Sequence, residues 1–544
     1  MVHWADVEAA TLMERHGDGK QVFATAITPS GPIHVGNMRE VLTTEAIFRA
    51  TREAGGDAEL IYIADDYDPL RKVYPFLHPS YQEHVGKPLR EIPCPDADGR
   101  PNGCGDHDSY AAHFLAPFLA DLEALGVAPT VLSAYDLYQE GRYTDATVTS
   151  FDKMDDVRGI IEEVSKRQLP KRWAPFNPQC PAAGCGRIAG TEVLSYEFPE
   201  ILCRCTHCAK EAGTDDPDAG TFTLDVRQGG IGKLPWRLDW PARWVFLGVT
   251  FEAFGKDHGA AGGSWDTGIP LVRQVFGGQE PHHLMYEFLQ LKGKGAMHSS
   301  SGLAVSATDM LSMTPPEVLR YLLVRQSPRK HIDFDPGLGI LNLVDEFDRL
   351  ERVAHGAEEN PGDLTEVERT YALACPRGPR PGLPMQVPYR HLVTVVQMAD
   401  DVDGVVAVLR RSGELQDTLD DDSRRLLARR IGNVRYWLDH FAPEATRFQV
   451  QPDLPADLDL APEERGFLAD LATRLDALPD DGWTGQSVHD AIYDAKDAVG
   501  IKPGQAFRAV YRAVLGQDRG PRAGFFVASL DKAWVVGRFG EAAG

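Results

Sequence analysis

The run Thr28-Pro29-Ser30-Gly31-Pro32-Ile33-His34-Val35-Gly36-Asn37 gathers residues suited to holding a polyphosphate. It follows an apolar, β-rich stretch, QVFATAI (21–27). It precedes a segment in which Leu42, Ala46, Ile47 and Ala50 share one helical face. A helix that begins near His34 presents unpaired N–H groups and the positive end of its dipole to an anion. His34 and Asn37 lie on that first turn, and both donate hydrogen bonds. Gly36 has no side chain, so a flat base can approach the backbone there. A second chemical group is the set Cys180-x4-Cys185 and Cys205-x2-Cys208. Two close thiol pairs are the usual layout of a tetrahedral Zn²⁺ site, with Cys203 and His207 as spare candidates. Cys94, Cys104 and Cys375 have no obvious partners in the spacing.

These residues need elements to position them. Gly55-Gly56 stops the first helix, and ELIYIA (59–64) reads as a second strand. Strand, helix and strand with short connections predict a βαβ unit and a parallel sheet that binds ligands at the carboxyl ends of its strands. Asp65, Asp66 and Asp68 fall just past the second strand, where such a ligand would sit. Residues 107–126 read as another amphipathic helix. The pattern turns helical beyond about 315, PRGPRPGLPMQVP (376–388) reads as a linker, and 389–544 keeps a helical period broken by Pro and Gly.

The 544 residues hold 56 Lys and Arg against 80 Asp and Glu, a net charge of −24, with 43% hydrophobic and 25% charged residues. That is the profile of a soluble globular chain of several domains. No uncharged apolar run is long enough to span a membrane, and the N-terminus is charged and amphipathic, unlike a secretory signal. Eight cysteines are too few for a disulfide scaffold, so a reducing, cytoplasmic setting is expected. The acidic balance opposes a uniformly basic nucleic-acid-binding surface but allows local ones. SRRLLARRIGNVR (423–435) carries five Arg and no acid, whereas 453–481 carries nine acids and two Arg. Arg424, Arg425, Arg429 and Arg435 could face phosphate on a helix; the other reading of this run is a helix salt-bridged to acids such as those of 453–481. Arg320, Arg325, Arg329 and Lys330 form another basic patch.

The stretch PSGPIHVGN resembles the "HIGH" signature of class I aminoacyl-tRNA synthetases, with Asn37 in place of the final His. ADDYDPLRKVY (64–74), GKPLREIPCP (86–95), WRLDWPARW (236–244), FEAFGKDHGAAGGSWDTG (251–268), YEFLQLKGKGAM (286–297) and GPRAGFFVASLD (520–531) resemble class I lysyl-tRNA synthetases in the same order. The resemblance implies an α/β fold: a Rossmann-like catalytic domain over 1–315 with a zinc-knuckle insert at about 150–230, junction helices and a linker over 316–388, and an all-helical anticodon-binding domain over 389–544.

It also implies a two-step reaction. The lysine carboxylate attacks the α-phosphate of ATP, used with Mg²⁺, to give lysyl-adenylate and pyrophosphate. The lysyl group then moves to the 3′-terminal adenosine of tRNA(Lys), releasing AMP. Positioning and charge stabilisation carry the first step. By resemblance, Pro29, Ser30, Gly31, His34, Gly36, Asn37, Gly255, Asp257 and Met297 would bind ATP, with His34 and Asn37 at the phosphates. Thr28, Asp65, Asp66, Trp236, Asp257, His258 and Tyr286 would hold lysine: acids for its ammonium groups, aromatic rings for its stem and charge. The position two before Thr28 is glycine in the family and Ala26 here. Met297-His298-Ser299-Ser300-Ser301-Gly302 aligns with the mobile "KMSKS" loop, and Ser301 stands where the class has its second lysine. Ser299, Ser300 and Ser301 would then act on the leaving pyrophosphate, with Lys292 or Lys294 supplying the missing charge. A monomer without a membrane partner is expected. Two alternatives stay open: a synthetase-like protein acting on another acceptor, and, because of Ser301, a non-catalytic tRNA-binding or regulatory protein.

Overall fold

The computed structural model describes residues 2–17, 19–213, 216, 218–293, 295–296, 305–360, 362–415 and 419–544. Contacts divide the chain into two units, one of 1–310, 319–334 and 360–379, the other of 311–318, 335–359 and 380–544. The expected junction, 316–388, is therefore shared between them, and the last boundary falls inside the Pro-rich stretch 376–388.

The first unit is built on a five-stranded parallel sheet. After helix α1 (Trp4–His16), β1 (Gln21–Ile27) pairs along its full length with β2 (Ala58–Ala64), from Gln21 opposite Ala58 to Ile27 opposite Ala64. β2 in turn pairs with β3 (Thr130–Ser133). On the other flank of β1 lies the strand Phe251–Gly255, followed by His282–Tyr286. β1 and Phe251–Gly255 pair only at Phe23 and Ala24. Beyond those residues the two strands part at their carboxyl ends. This is also where the chain order reverses across the sheet, the place where an open α/β sheet receives its ligand.

The helix α2 (Val35–Glu53) fills one face of this sheet. Val35, Met38, Val41, Leu42, Ala46, Ile47 and Ala50 are buried, the stripe expected of a helix facing a core. It ends at Ala54, with Gly55 at φ 92°, a conformation that suits glycine. The expected helix at 107–126 forms as α3 (Tyr110–Ala124). Trp236, Trp240 and Trp244 recur every fourth residue along the helix Trp236–Phe246, and the indole N–H groups of Trp240 and Trp244 both donate to the buried Glu252 carboxylate. The cysteine-bearing insert contains an antiparallel three-stranded sheet, Thr191–Glu197, Glu200–Cys205 and Thr221–Asp225.

Among its described residues the second unit is helical, with a core that includes Phe467, Leu471, Leu475, Val488, Ile492, Val510, Val514, Phe526 and Phe539. The long helix Asp421–His440 turns Leu427, Ile431, Val434 and Trp437 inward.

Arg320 departs from the sequence expectation of a surface patch. It is fully buried in the first unit, donating to the carbonyls of Leu373 (2.9 Å) and Leu125 (3.1 Å) and pairing with Glu45 (2.6 Å). Its removal strands two carbonyls and part of a buried carboxylate's bonding. Arg320→Ala is expected to cost about 3 kcal/mol or more of stability, read as a lower urea midpoint; an unchanged midpoint would contradict this role.

Candidate active site

A cavity of about 950 Å³ opens at the carboxyl ends of β1, β2, Phe251–Gly255 and His282–Tyr286. Thr28, Ser30, Gly31, His34, Gly36 and Asn37 line it, while Pro29 is buried and outside the lining. His34 caps α2, and its backbone N–H donates to Asn37 Oδ1 at 3.3 Å. The loop is tied on both sides. Ser30 O accepts from Tyr110 Oη at 2.7 Å, and an added Cβ on Gly31 would meet the Phe76 ring at 2.7 Å. Val35 N donates to Val305 O at 2.9 Å, and His34 forms a β-bridge with Ser306. Lys294, Met297, Ser299, Ser300 and Ser301 lie outside the described residues, so the helix start is joined to the segment that immediately follows them.

Below Thr28 sits a buried charge cluster. Arg243 pairs with Asp65 (2.7 Å) and Asp239; Lys233 pairs with Asp68 (2.6 Å) and reaches Asp239 at 3.6 Å. Thr28 Oγ1 donates to Asp68 (2.9 Å), and the hydroxyls of Tyr138 and Tyr143 donate to Asp239. Burial alone would raise Asp239; Arg243 and Lys233 outweigh it and hold its pKa below the ordinary carboxylate value. Asp65 goes the other way: burial raises it despite the same two cations. Lys233 is raised by Asp68, Asp239 and Asp65 against the effect of burial, so it stays charged.

Asp66 requires a correction. It was expected in the pocket but does not line it, because its carboxylate accepts from Ser133 Oγ (2.7 Å) and the Tyr135 backbone (2.8 Å). Successive residues leaving a strand point to opposite sides, so Asp65 and Asp66 cannot both face one ligand.

The remaining wall is aromatic. Trp236 lines the cavity, with Trp240 stacked at 5.2 Å, His258 at 5.8 Å and the Arg243 guanidinium at 5.4 Å. Burial lowers the His258 pKa, opposed by Asp257 and aided by Arg237, which favours the neutral ring at pH 7. Asp257 and His258 both line the cavity beside Gly255, where an added Cβ would meet Asp257 Oδ1 at 2.5 Å. Tyr286 also lines it and donates to Glu40 at 2.9 Å.

Glu40, Lys233, Asp239 and Arg243 were not singled out from the sequence. Asp239 and Arg243 carried a usable signal, since four-residue spacing in WRLDWPARW puts opposite charges on one helical face. Glu40 carried none, because its partners Ala26 and Tyr286 are 14 and 246 residues away.

The four expected thiols, Cys180, Cys185, Cys205 and Cys208, come together with all sulfurs within 4.8 Å of one another. Cys180 faces Cys208, and Cys185 faces Cys205, each at 3.7 Å. Four convergent sulfurs fit a tetrahedral metal ion. Burial opposes ionisation of Cys185, but the Arg187 backbone and guanidinium outweigh it and bring the thiol to about 7. The spare candidates stay apart: Cys203 Sγ points to Ile201 O, and His207 pairs with Glu211. Ile188, Ala189, Gly190 and Thr191, between the two thiol pairs, form part of the cavity wall. Cys94 and Cys104, expected without partners, form a disulfide, and a ligand nitrogen of His113 lies within 4.8 Å of their sulfurs.

In the second unit the arginine run is largely engaged within the protein. Arg424 pairs with Asp403, Arg425 pairs with Asp422 at 3.0 Å, and Arg435 donates to Ala399 O at 3.0 Å. Arg430 turns inward to the buried Asp348, while Arg429 is exposed. The salt-bridged reading of this run therefore accounts for Arg424 and Arg425.

Residues 2–377 match the family described as tRNA synthetases class I (K). A lysine–tRNA ligase of Methanosarcina barkeri is 42% identical over 563 aligned positions, covering 99% of this chain and 98% of that protein. A lysine–tRNA ligase of Archaeoglobus fulgidus is 42% identical over 98% of each chain, and one of Picrophilus torridus is 36% identical over 99% of this chain and 98% of its own. On this match over most of its length and these relatives along nearly all of it, the chain belongs to the class I tRNA synthetase (K) family.

Proposed function

We propose that this protein ligates L-lysine to tRNA(Lys) through a lysyl-adenylate, consuming ATP and releasing pyrophosphate and AMP. The observation that carries the reading is the cavity itself: a helix start rich in hydrogen-bond donors on one side, and acids with aromatic walls on the other. His34, Asn37 and the first-turn N–H groups of α2 would hold the ATP phosphates and stabilise charge at the α-phosphorus as the lysine carboxylate attacks. Gly36 leaves room for the adenine. Gly255 and Asp257, both in the cavity lining, would bind the ribose hydroxyls. Thr28, Asp65, Trp236, His258 and Tyr286 would hold the amino acid. Mg²⁺ would enter with ATP and neutralise its phosphates.

The Cys180, Cys185, Cys205 and Cys208 set would hold a structural Zn²⁺ that fixes the 188–191 wall. The helical unit would hold the anticodon arm, with Arg429 the residue of the 423–435 run best placed for phosphate. Among the described residues no helix is long and apolar enough to cross a membrane. The enzyme would act in the cytoplasm as a monomer.

The reading predicts pyrophosphate exchange that depends on lysine and on none of the other nineteen amino acids, measured with and without tRNA. No exchange in either condition would favour a non-catalytic tRNA-binding role. Ser301 supplies a hydrogen bond but no charge for the leaving pyrophosphate, so Ser301→Lys is expected to raise the exchange rate by stabilising the transition state; an unchanged or lower rate would refute the charge argument. Metal analysis of protein purified without added zinc should find about one equivalent, held at a single four-thiolate site. Cys205→Ser should lower both zinc content and melting temperature, and a wild-type chain with far less than one equivalent would remove the metal from the account.

A further inference from the structure

Two phosphate-bearing substrates must meet at one carbonyl carbon. ATP brings a triphosphate and the acceptor end of tRNA brings a chain of phosphodiesters, so each needs its own positive surface. The start of α2 is one such surface. The opposite face of the sheet carries another. Phe23 of β1 meets Phe48 of α2, with ring centroids 5.7 Å apart. Ala24, Ile61 and Ile63 instead turn into the core shared with Val157, Ile160 and Ile161 of the helix Met154–Ser165. Side chains alternate along a strand, so α2 and this helix cover opposite faces.

The helix Met154–Ser165 runs into Lys166-Arg167-Gln168-Leu169-Pro170-Lys171-Arg172, a loop with four cations and no acid. All four cations are exposed. Among the described residues no carboxylate lies within ion-pair distance of any of them. Elsewhere this acidic chain pairs its arginines: Arg424, Arg425 and Arg430 of the 423–435 run all have carboxylate partners.

The backbone of the loop is held in shape while its cations stay free. Arg158 donates to the carbonyls of Leu169 (3.4 Å) and Pro170, and the Leu169 N–H donates to Glu162 at 2.8 Å. Holding the backbone in advance lowers the entropy cost of binding. Lys166 has φ 56°, and among the described residues no other side chain but glycine's stands at positive φ. A helix end of this kind favours glycine. The chain keeps a cation there against the preference of its backbone.

The loop also stands beside the aromatic wall of the cavity. An added Cβ on Gly262 would meet Val164 O at 2.9 Å and Ser165 Cα at 3.3 Å. Arg237, next to Trp236, donates to Gly262 O (3.3 Å), Gly263 O (2.9 Å) and Thr267 Oγ1 (2.7 Å). Burial lowers the pKa of Arg237 and the charge of Arg167 lowers it further, so the two guanidinium groups are neighbours. Trp236 and His258 therefore lie between the loop and the cavity interior.

We propose that the loop 166–172 is the docking surface for the sugar–phosphate backbone of the tRNA acceptor stem, and that it leads the 3′ end past Trp236 and His258 into the cavity. This assignment rests on the tRNA-ligating reading and deepens it by naming which residues hold that end of the RNA. Lys166, Arg167, Lys171 and Arg172 neutralise phosphates and release their counterions, so they supply affinity and register without reading bases. ATP, on the α2 face, does not depend on them.

The test measures RNA binding by fluorescence anisotropy with the full-length protein, between about 50 and 200 mM salt. Three RNAs are used: intact tRNA(Lys), a minihelix of its acceptor and T stems, and its anticodon stem–loop. One variant combines Lys166→Gln, Arg167→Gln, Lys171→Gln and Arg172→Gln. It should bind tRNA and the minihelix at least about tenfold more weakly at the lower salt, with a log–log salt slope shallower by about 3. Its affinity for the anticodon stem–loop should stay within about twofold, and in aminoacylation the loss should fall on KM for tRNA and not on KM for ATP. Combining Arg167→Lys and Arg172→Lys keeps the charge and should recover most of the affinity. Wild-type minihelix affinity and salt slope in the neutral variant would overturn the assignment alone, as would an equal loss on the minihelix and the anticodon stem–loop. A wild-type protein that charges no tRNA with lysine would overturn the ligase reading and the assignment with it. Should the neutral variant fail to fold, Lys166→Gly decides, because it suits the left-handed backbone and removes one charge. Its minihelix salt slope should be shallower by about 1, and an unchanged slope contradicts the proposal.

Discussion

Four buried charges under Thr28, joined by the part-buried Asp68, are the constraint from which the rest of the catalytic unit follows. Taking Asp65, Asp239, Lys233 and Arg243 out of water costs several kcal/mol per ion, and only close pairing offsets it. Pairing fixes where their elements go. Asp65 and Asp68 leave the end of β2, Lys233 closes the cysteine-bearing insert, and Asp239 and Arg243 sit one turn apart on the helix Trp236–Phe246. The insert cannot drift from the sheet edge without exposing an unpaired charge in a dry interior. Thr28 bonds to Asp68, and the hydroxyls of Tyr138 and Tyr143 bond to Asp239, so the network also sets the end of β1, where the loop before α2 begins.

The cavity then has a division of labour. The α2 start faces it with N–H donors, a surface for anions. The charge cluster and Glu40 face it with acids, a surface for a cation. An amino acid with a cationic side chain and a nucleoside triphosphate have opposite needs, and the parting of β1 from Phe251–Gly255 brings both surfaces to one opening. The thiol cluster contributes at a distance, since a metal there would fix the chain on both sides of Ile188–Thr191.

Local features were legible in the sequence and long-range ones were not. β1, the signature loop and α2 followed from apolar periodicity and glycine placement within 35 residues. The two thiol pairs were visible because metal ligands come in close pairs. The acidic wall of the cavity was seen only in part: acids near a strand end are easy to find, but which of them face the cavity depends on partners elsewhere. Asp66 turns to Ser133 and Tyr135, and Glu40 turns to Ala26 and Tyr286. The partners of the arginine run were hidden for a similar reason. A helix distributes successive side chains around its axis, so Arg430 falls on the inner face against Asp348, and Arg424 meets Asp403 from another helix. The net charge of −24 fits this pattern, since acids such as Asp348 and Asp403 hold arginines in place.

The most direct test of the central claim removes one charge from the buried network without changing its shape. Asp239→Asn leaves Arg243 and Lys233 without their shared partner, so the floor beneath Thr28 should shift by a fraction of an ångström. Lysine-dependent pyrophosphate exchange is the measurement, taken beside far-UV circular dichroism and zinc content. The account predicts a fall in kcat/KM for lysine of about 100-fold, the scale of loss when a substrate is slightly misplaced, with helix content and metal unchanged. A variant with wild-type kcat/KM would show that the network only fills space, and would contradict the claim that it sets the site.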